Sequence, residues 1–308
     1  MGLKNKILPY ALLVLYFGTA LVLENIFPGF PAGFFAFPLN LALIALHLIV
    51  IWYLYKEKGE CGFVKWMLSP SATASALGLF AAACLIGGLS SDRTLTGSWW
   101  FVAVIFYFLT VLVFVTLRGI GKKRRLRPVF VFNHIGLLIA LGAAFWGAAD
   151  NDECRLLLKP GDAVSEGWRP DGSRVVLAEE YCLEDFSVDY YENNVPSVFE
   201  ARINIGNKNV NGDNKDVLLK VNHPFTLSFT EKLYLSSYDA VSGACVVRIV
   251  REPWTYAIYS GIILMLCGAF LLFVKPPAAA GKSSSSRKPA GASGYTVQVR
   301  EIAKNEEK

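Results

Sequence analysis

Residues Val129–Ala149 read VFVFNHIGLLIALGAAFWGAA. The stretch carries no charge, and its length suits the roughly 20 apolar residues that a helix needs to cross hydrocarbon. From Asp150 the chain changes character. Phe186, Val188 and Tyr190 alternate with Ser187 and Asp189, and Phe199, Ala201, Ile203 and Ile205 alternate with Glu200, Arg202 and Asn204. A period of two marks half-buried strands. The chain therefore reads as membrane helices joined to a β-rich domain.

Five more runs resemble the first: Ile7–Leu23, Phe35–Tyr55, Thr73–Leu89, Trp99–Leu117 and Trp254–Val274. They explain a composition that is 54% hydrophobic and only 18% charged, where soluble domains are closer to a quarter charged. Lys4 and Lys6 precede the first run as in a signal peptide. However, Glu24-Asn25-Ile26-Phe27-Pro28 follows it where a cleavage site would have small residues, so it is read as a span. Gly78, Gly87 and Gly88 in the Ala-rich third run predict close helix packing.

Lys and Arg in short loops set orientation. One set of connections holds Lys4, Lys6, Lys56, Lys58, Lys65, Arg118, Lys122, Lys123, Arg124, Arg125 and Arg127; the opposite short loops hold only Arg93. This predicts a multi-pass membrane protein with both termini cytoplasmic, in a bacterium a protein of the inner (plasma) membrane whose long segment is periplasmic, or else in an equivalent compartment. Residues 1–149 form a five-helix transmembrane region, 150–253 an extracytoplasmic β-rich domain, 254–274 the last helix, and 275–308 a flexible cytoplasmic tail, Pro/Ala/Gly/Ser-rich over Pro276–Gly294. The net charge of +5 is mostly this topology signal and implies no nucleic acid. The basic cluster at 118–127 suits anionic membrane lipid. Cys61–Leu68 reads as a short amphipathic segment lying in the interface.

The external segment is expected to form about seven short, mostly antiparallel strands in a sandwich or open barrel. Cys245, Val247 and Ile249 alternate in its last strand, and Asn211-Gly212-Asp213 reads as a hairpin turn. Its three cysteines, Cys154, Cys182 and Cys245, allow at most one internal pair. No Cys-x-x-Cys occurs, which argues against a thioredoxin-like redox centre. The acidic residues of Leu183–Glu192 read as a solvated strand face. No Ser-His-Asp set, His-Glu-x-x-His stretch or phosphate-cradling glycine loop is present.

Two of the three histidines, His47 and His134, lie inside membrane runs, where ionisable groups point to function. Counted from Lys56 and Arg127 they sit roughly 13 Å and 10 Å deep, at similar levels. Gly136, Ala140, Ala143 and Gly147 form a small-residue seam, and His134 points away from it. Two readings stand for each histidine: a neutral ring bonded to a neighbouring helix, or an axial ligand to haem iron. His223, before Pro224, reads as a surface or turn residue.

Several separated stretches resemble the ResB-like (CcsB) family of type II cytochrome c biogenesis. They are Ser98-Trp99-Trp100-Phe101; Asn133–Gly142 around His134; Leu183-Glu184-Asp185-Phe186 with Asp189-Tyr190-Tyr191; Val221-Asn222-His223-Pro224-Phe225 with Tyr234 and Ser237-Tyr238-Asp239; and Glu252-Pro253-Trp254 with Gly261 and Gly268. Together they span about residues 95–275. Glu252 stands where the family has Asp, Phe229 and Thr230 fall where a glycine is expected, and the chain has more spans than the shorter four-span pattern.

The resemblance implies a non-autonomous subunit of a cytochrome c haem lyase complex that helps pass haem outward to apocytochrome c. A CcsA/ResC-like membrane partner would share the task. His134 is the matching position for an intramembrane axial ligand, whereas His47 has no clear counterpart. Haem would be delivered rather than retained. The alternative is a membrane scaffold or receptor whose β domain binds a partner and whose histidines only pack.

Overall fold

The computed structural model describes residues 3–90, 93–121, 128–190, 196–207, 214–239 and 242–274. Six of its helices are long and apolar enough to cross a membrane: α1 (Leu3–Ile26), α2 (Leu39–Glu57), α4 (Pro70–Leu89), α5 (Trp99–Gly121), α6 (Pro128–Gly147) and α7 (Thr255–Val274), with the short α3 (Gly62–Met67) before α4. The chain is a multi-pass membrane protein with a β domain. Met1–Leu271 form one compact unit; of a second, Leu272–Lys308, only the end of α7 is described.

Local chemistry sets several boundaries. The Phe35–Tyr55 run becomes helical only at Leu39, because Ala32–Phe35 form a 3-10 turn and Pro38 supplies the N-cap. The third run starts early, at Pro70. The Ser69 hydroxyl accepts from the Ala72 amide, and proline suits the first helical position.

Helix α5 is the hub of the bundle and packs on α1, α2, α4 and α6. It buries Tyr107, Leu109, Val113 and Phe114 among other residues. The expected glycine packing of the third run holds at Gly87 alone, where an added Cβ would stand 3.4 Å from the Thr96 methyl and 3.6 Å from the Phe101 ring. Nothing lies within contact of a side chain added at Gly78 or Gly88, and Ala72, Ala76 and Ala83 form the buried stripe instead. Helix α3 also departs from a purely interfacial segment. Val64 and Met67 are buried with Ile51, Ala76 and Phe114, so α3 plugs one end of the bundle.

Between α6 and α7 the chain builds eight strands: β1 (Asp152–Leu158), β2 (Ala163–Trp168), β3 (Arg174–Tyr190), β4 (Pro196–Asn207), β5 (Lys215–Lys220), β6 (Phe225–Thr226), β7 (Glu231–Tyr238) and β8 (Cys245–Arg251). They form one antiparallel sheet in the order β5-β4-β3-β2-β1-β8-β7-β6. The sheet is open: among the described residues no strand ladder joins its edge strands β5 and β6. Inward residues from six strands share one core, with Leu156, Leu183, Leu219 and Leu233 fully buried. Burying each contributes roughly 1.5–3 kcal/mol. One sheet curled over one core is the open-barrel alternative rather than the sandwich.

The alternation over 199–205 and 245–249 holds, with Ala201, Ile203, Ile205, Cys245, Val247 and Ile249 all buried. In β3 the parity changes. A register shift between Leu183 and Asp185 lets Tyr181 and Leu183 share a face with Phe186. All six cysteines are free. Asn211-Gly212-Asp213, Tyr191, Glu192, Lys122–Arg125, Arg127 and the tail from 275 lie outside the described residues.

Strands β1 and β8 pair from Asp152–Arg251 to Leu158–Cys245, so the strand leaving α6 lies beside the strand entering α7. The two helices also meet closely. A Cβ on Gly136 would stand 2.7 Å from the Gly261 carbonyl, and one on Gly261 would stand 2.5 Å from the Ala140 nitrogen. Gly147 is covered by Trp254, and Gly268 by the Asn133 carboxamide. At the sheet-side end, Asp150 accepts hydrogen bonds from the Phe37 amide (2.6 Å), the Asn40 side chain (2.7 Å) and the Trp254 indole (2.6 Å).

Candidate functional site

His134 projects from α6 near α7. Its ring stacks on Phe130, one turn earlier, with centroids 3.9 Å apart. Its Nδ1 lies 3.0 Å from the Phe130 carbonyl oxygen. A carbonyl only accepts, so Nδ1 carries the proton and a neutral ring keeps its lone pair on Nε2. Metal-bound imidazoles are oriented in this way, by a hydrogen bond from the other nitrogen. The ring borders a groove of about 360 Å³ between α6 and α7, together with Asn133, Leu137, Ile262 and Met265. Asn133 and Met265 were given no role by sequence reasoning. A polar residue beside a histidine in an apolar run was the available signal for Asn133.

His47 is differently placed. Its Nε2 is 3.1 Å from the Thr110 hydroxyl on α5. Thr110 spends its proton on the Phe106 carbonyl at 2.8 Å, so the histidine must donate to it. The ring also stacks on Phe106 and lies tilted to Trp146. This is the hydrogen-bonded packing arrangement.

The two histidines are not brought together, and their depths differ. Asn40 bonds the Trp146 carbonyl at 3.2 Å. From that contact His47 lies about 10 Å along α2, and His134 about 18 Å along α6. A bond between helices is a better ruler than the flanking cations, because loops and tilts place those at different heights.

The sheet offers no comparable site. His223 is exposed, in a turn where its amide bonds the Lys220 carbonyl at 3.0 Å. Glu184, Asp185 and Asp189 are exposed. The Nε and Nη2 of Arg169 donate to the two carboxylate oxygens of Asp152, at 2.8 and 2.9 Å. That hydrogen bonding holds the Asp152 carboxyl below its usual range. Burial pushes the Cys154 thiol up and the Cys245 thiol up to about 11, which keeps both protonated and unreactive at neutral pH. Among the described residues, no three or more His, Cys, Asp and Glu side chains gather as a metal site.

Residues 120–253 match the ResB-like family. That stretch is similar to the family and covers less than half of the chain. The matched segment takes in α6 with His134 and all eight strands. It is shorter than the 95–275 over which motifs were read, and it leaves out His47 and α7. Among solved structures, the chain is similar to "Cytochrome c Heme Lyase CcmF" at 13% identity and a TM-score of 0.31, over 66% of this chain and 34% of that one. The chain thus spans about a third of that protein's length, and a likeness at this level says nothing further of fold or chemistry. No curated protein matches the sequence.

Proposed function

We propose that this chain is a ResB-type subunit in cytochrome c biogenesis that helps pass haem across the membrane to apocytochrome c. The match of residues 120–253 supports the cytochrome c biogenesis role. The observation that carries the finer reading is the His134 ring. Its Nδ1 proton is held by Phe130, and the ring borders a groove at membrane depth. Those residues fit a haem edge. If haem bound there, the Nε2 of His134 would hold its iron, and haem would supply that iron as the redox-active centre to be delivered.

The chain's own contribution is to hold the tautomer, orient the ring through Phe130 and surround it with Leu137, Ile262 and Met265. One histidine borders the groove, so a CcsA/ResC-like partner is assigned the opposite ligand. His47 belongs to the packing of α2 on α5, which favours the first of its two readings, a neutral ring bonded to a neighbouring helix.

The proposed orientation follows the cations. Lys56, Lys58, Lys65 and Arg118 lie at bundle ends remote from the sheet, which supports a reading in which residues 150–253 lie outside the cytoplasm, 1–149 and 254–274 form the membrane region and 275–308 are a cytoplasmic tail. The exposed acidic strand of the sheet would dock a partner or the apocytochrome.

The test is the haem spectrum of the complex co-purified with its partner. His134→Ala should lose most of the haem and of cytochrome c assembly, His134→Gly should recover both with added imidazole, and His47→Ala should keep its haem. Intact haem and assembly in His134→Ala would falsify the ligand role.

A further inference from the structure

The sheet-side half of the bundle holds a cavity of about 800 Å³, framed by α1, α2, α5 and α6. The cavity is partly open, with Thr19, Ala144 and Ala148 exposed, and its size falls in the roughly 300–1,000 Å³ range of ligand pockets. We propose that this cavity is a binding site for the hydrocarbon chain of a bilayer phospholipid.

The lining decides the chemistry. It is almost wholly aliphatic and aromatic, and its polar groups are already engaged. The Tyr16 hydroxyl donates to the Ala103 carbonyl at 2.9 Å, the Thr19 hydroxyl to the Leu15 carbonyl at 2.9 Å, and the Trp99 indole to the Phe27 carbonyl at 2.9 Å. Among the described residues that line the cavity there is no Lys, Arg, His, Cys or Met. No cationic side chain lines it to pair with a phosphate or a propionate, and the Tyr16 hydroxyl is spent on Ala103. A headgroup or a haem would leave its polar atoms unpaired, at a cost of several kcal/mol each.

Location decides the source. The four framing helices are membrane spans, so the medium beside them is acyl chain. The sheet-side end is roofed. The Phe30 amide donates to the Gly97 carbonyl at 2.7 Å, and the Phe30 ring stacks on Phe35 and meets Trp99 edge-on. The floor touches His47, because Phe106 and Trp146 line the cavity and pack on that ring. A bound chain therefore completes the packing of α1 and α2 on α5 and holds the two aromatics against His47.

The full chain should be placed in phosphatidylglycerol/phosphatidylcholine nanodiscs containing a phospholipid with a diazirine in its acyl chain. Photolabel should concentrate on peptides 101–106 and 141–149, about tenfold above the lipid-facing part of α7. Native mass spectrometry after a delipidating wash should retain phospholipid. Ala144→Phe and Ala148→Phe fill the cavity from exposed positions, and each should reduce that labelling about tenfold. Label spread evenly over the lipid-facing helices, or no retained phospholipid, overturns the proposal whatever the variants do. So does labelling that falls to background when the partner subunit is bound, since the occupant would then be protein.

Discussion

Asp150 gathers donors that the sequence scatters. Phe37, Asn40 and Trp254 lie more than a hundred residues from it, yet all three bond its carboxylate, and Asn40 is wholly buried. Hydrogen bonds to a charged group are worth about 1.5–3 kcal/mol, and buried partners left unpaired add to the loss. We expect Asp150→Ala to destabilise the protein by roughly 3 kcal/mol, read from unfolding in mixed micelles. Asp152 makes a pH-dependent contribution. Its folded pKa lies below the unfolded value near 3.9, so its stabilisation is full above that value and is lost as pH falls through the folded one. Asp152→Asn should therefore unfold more readily at pH 7 and converge with the wild type in strong acid, followed by the sheet's circular dichroism. An unchanged acid limb would show that Arg169 gives Asp152 nothing. None of this was legible in the sequence. A lone carboxylate at the end of a span reads as a solvated cap until the fold brings its partners to it.

The crossing of α6 and α7 shows what patterns do reveal. The seam Gly136, Ala140, Ala143, Gly147 was readable from its spacing, and all four residues are buried. Its mate was not. Gly261 and Gly268 appeared only as points of family resemblance, and the structure gives them a cause, since a side chain at Gly261 meets α6 backbone. Gly261→Val should force the helices apart and cost about 1–3 kcal/mol, seen as a lowered Tm in detergent. Gly78→Val should be silent, because that position is open. The six spans were legible because a bilayer needs long uncharged runs. Strand β1 was not, because Leu156-Leu157-Leu158 hides the alternation of Cys154, Leu156 and Leu158. The β3 register shift escaped for the same reason: one extra residue reverses which side chains face inward.

At the scale of the whole molecule, two cysteines report the proposed orientation. Cys61 is exposed beside α3, and Cys182 is half-buried on β3. In single-cysteine variants in sealed cells, an impermeant maleimide should label Cys182 at once and Cys61 only after permeabilisation. The reverse pattern would invert the protein. The order of the elements also sets a schedule for biosynthesis. Helix α6 leaves the ribosome roughly 110 residues before α7, so at about 5–20 residues per second its glycine seam waits roughly 5–20 s for its mate. During that interval the seam faces lipid or another protein, and the newborn chain is open to capture by a second membrane subunit before its own last helix arrives.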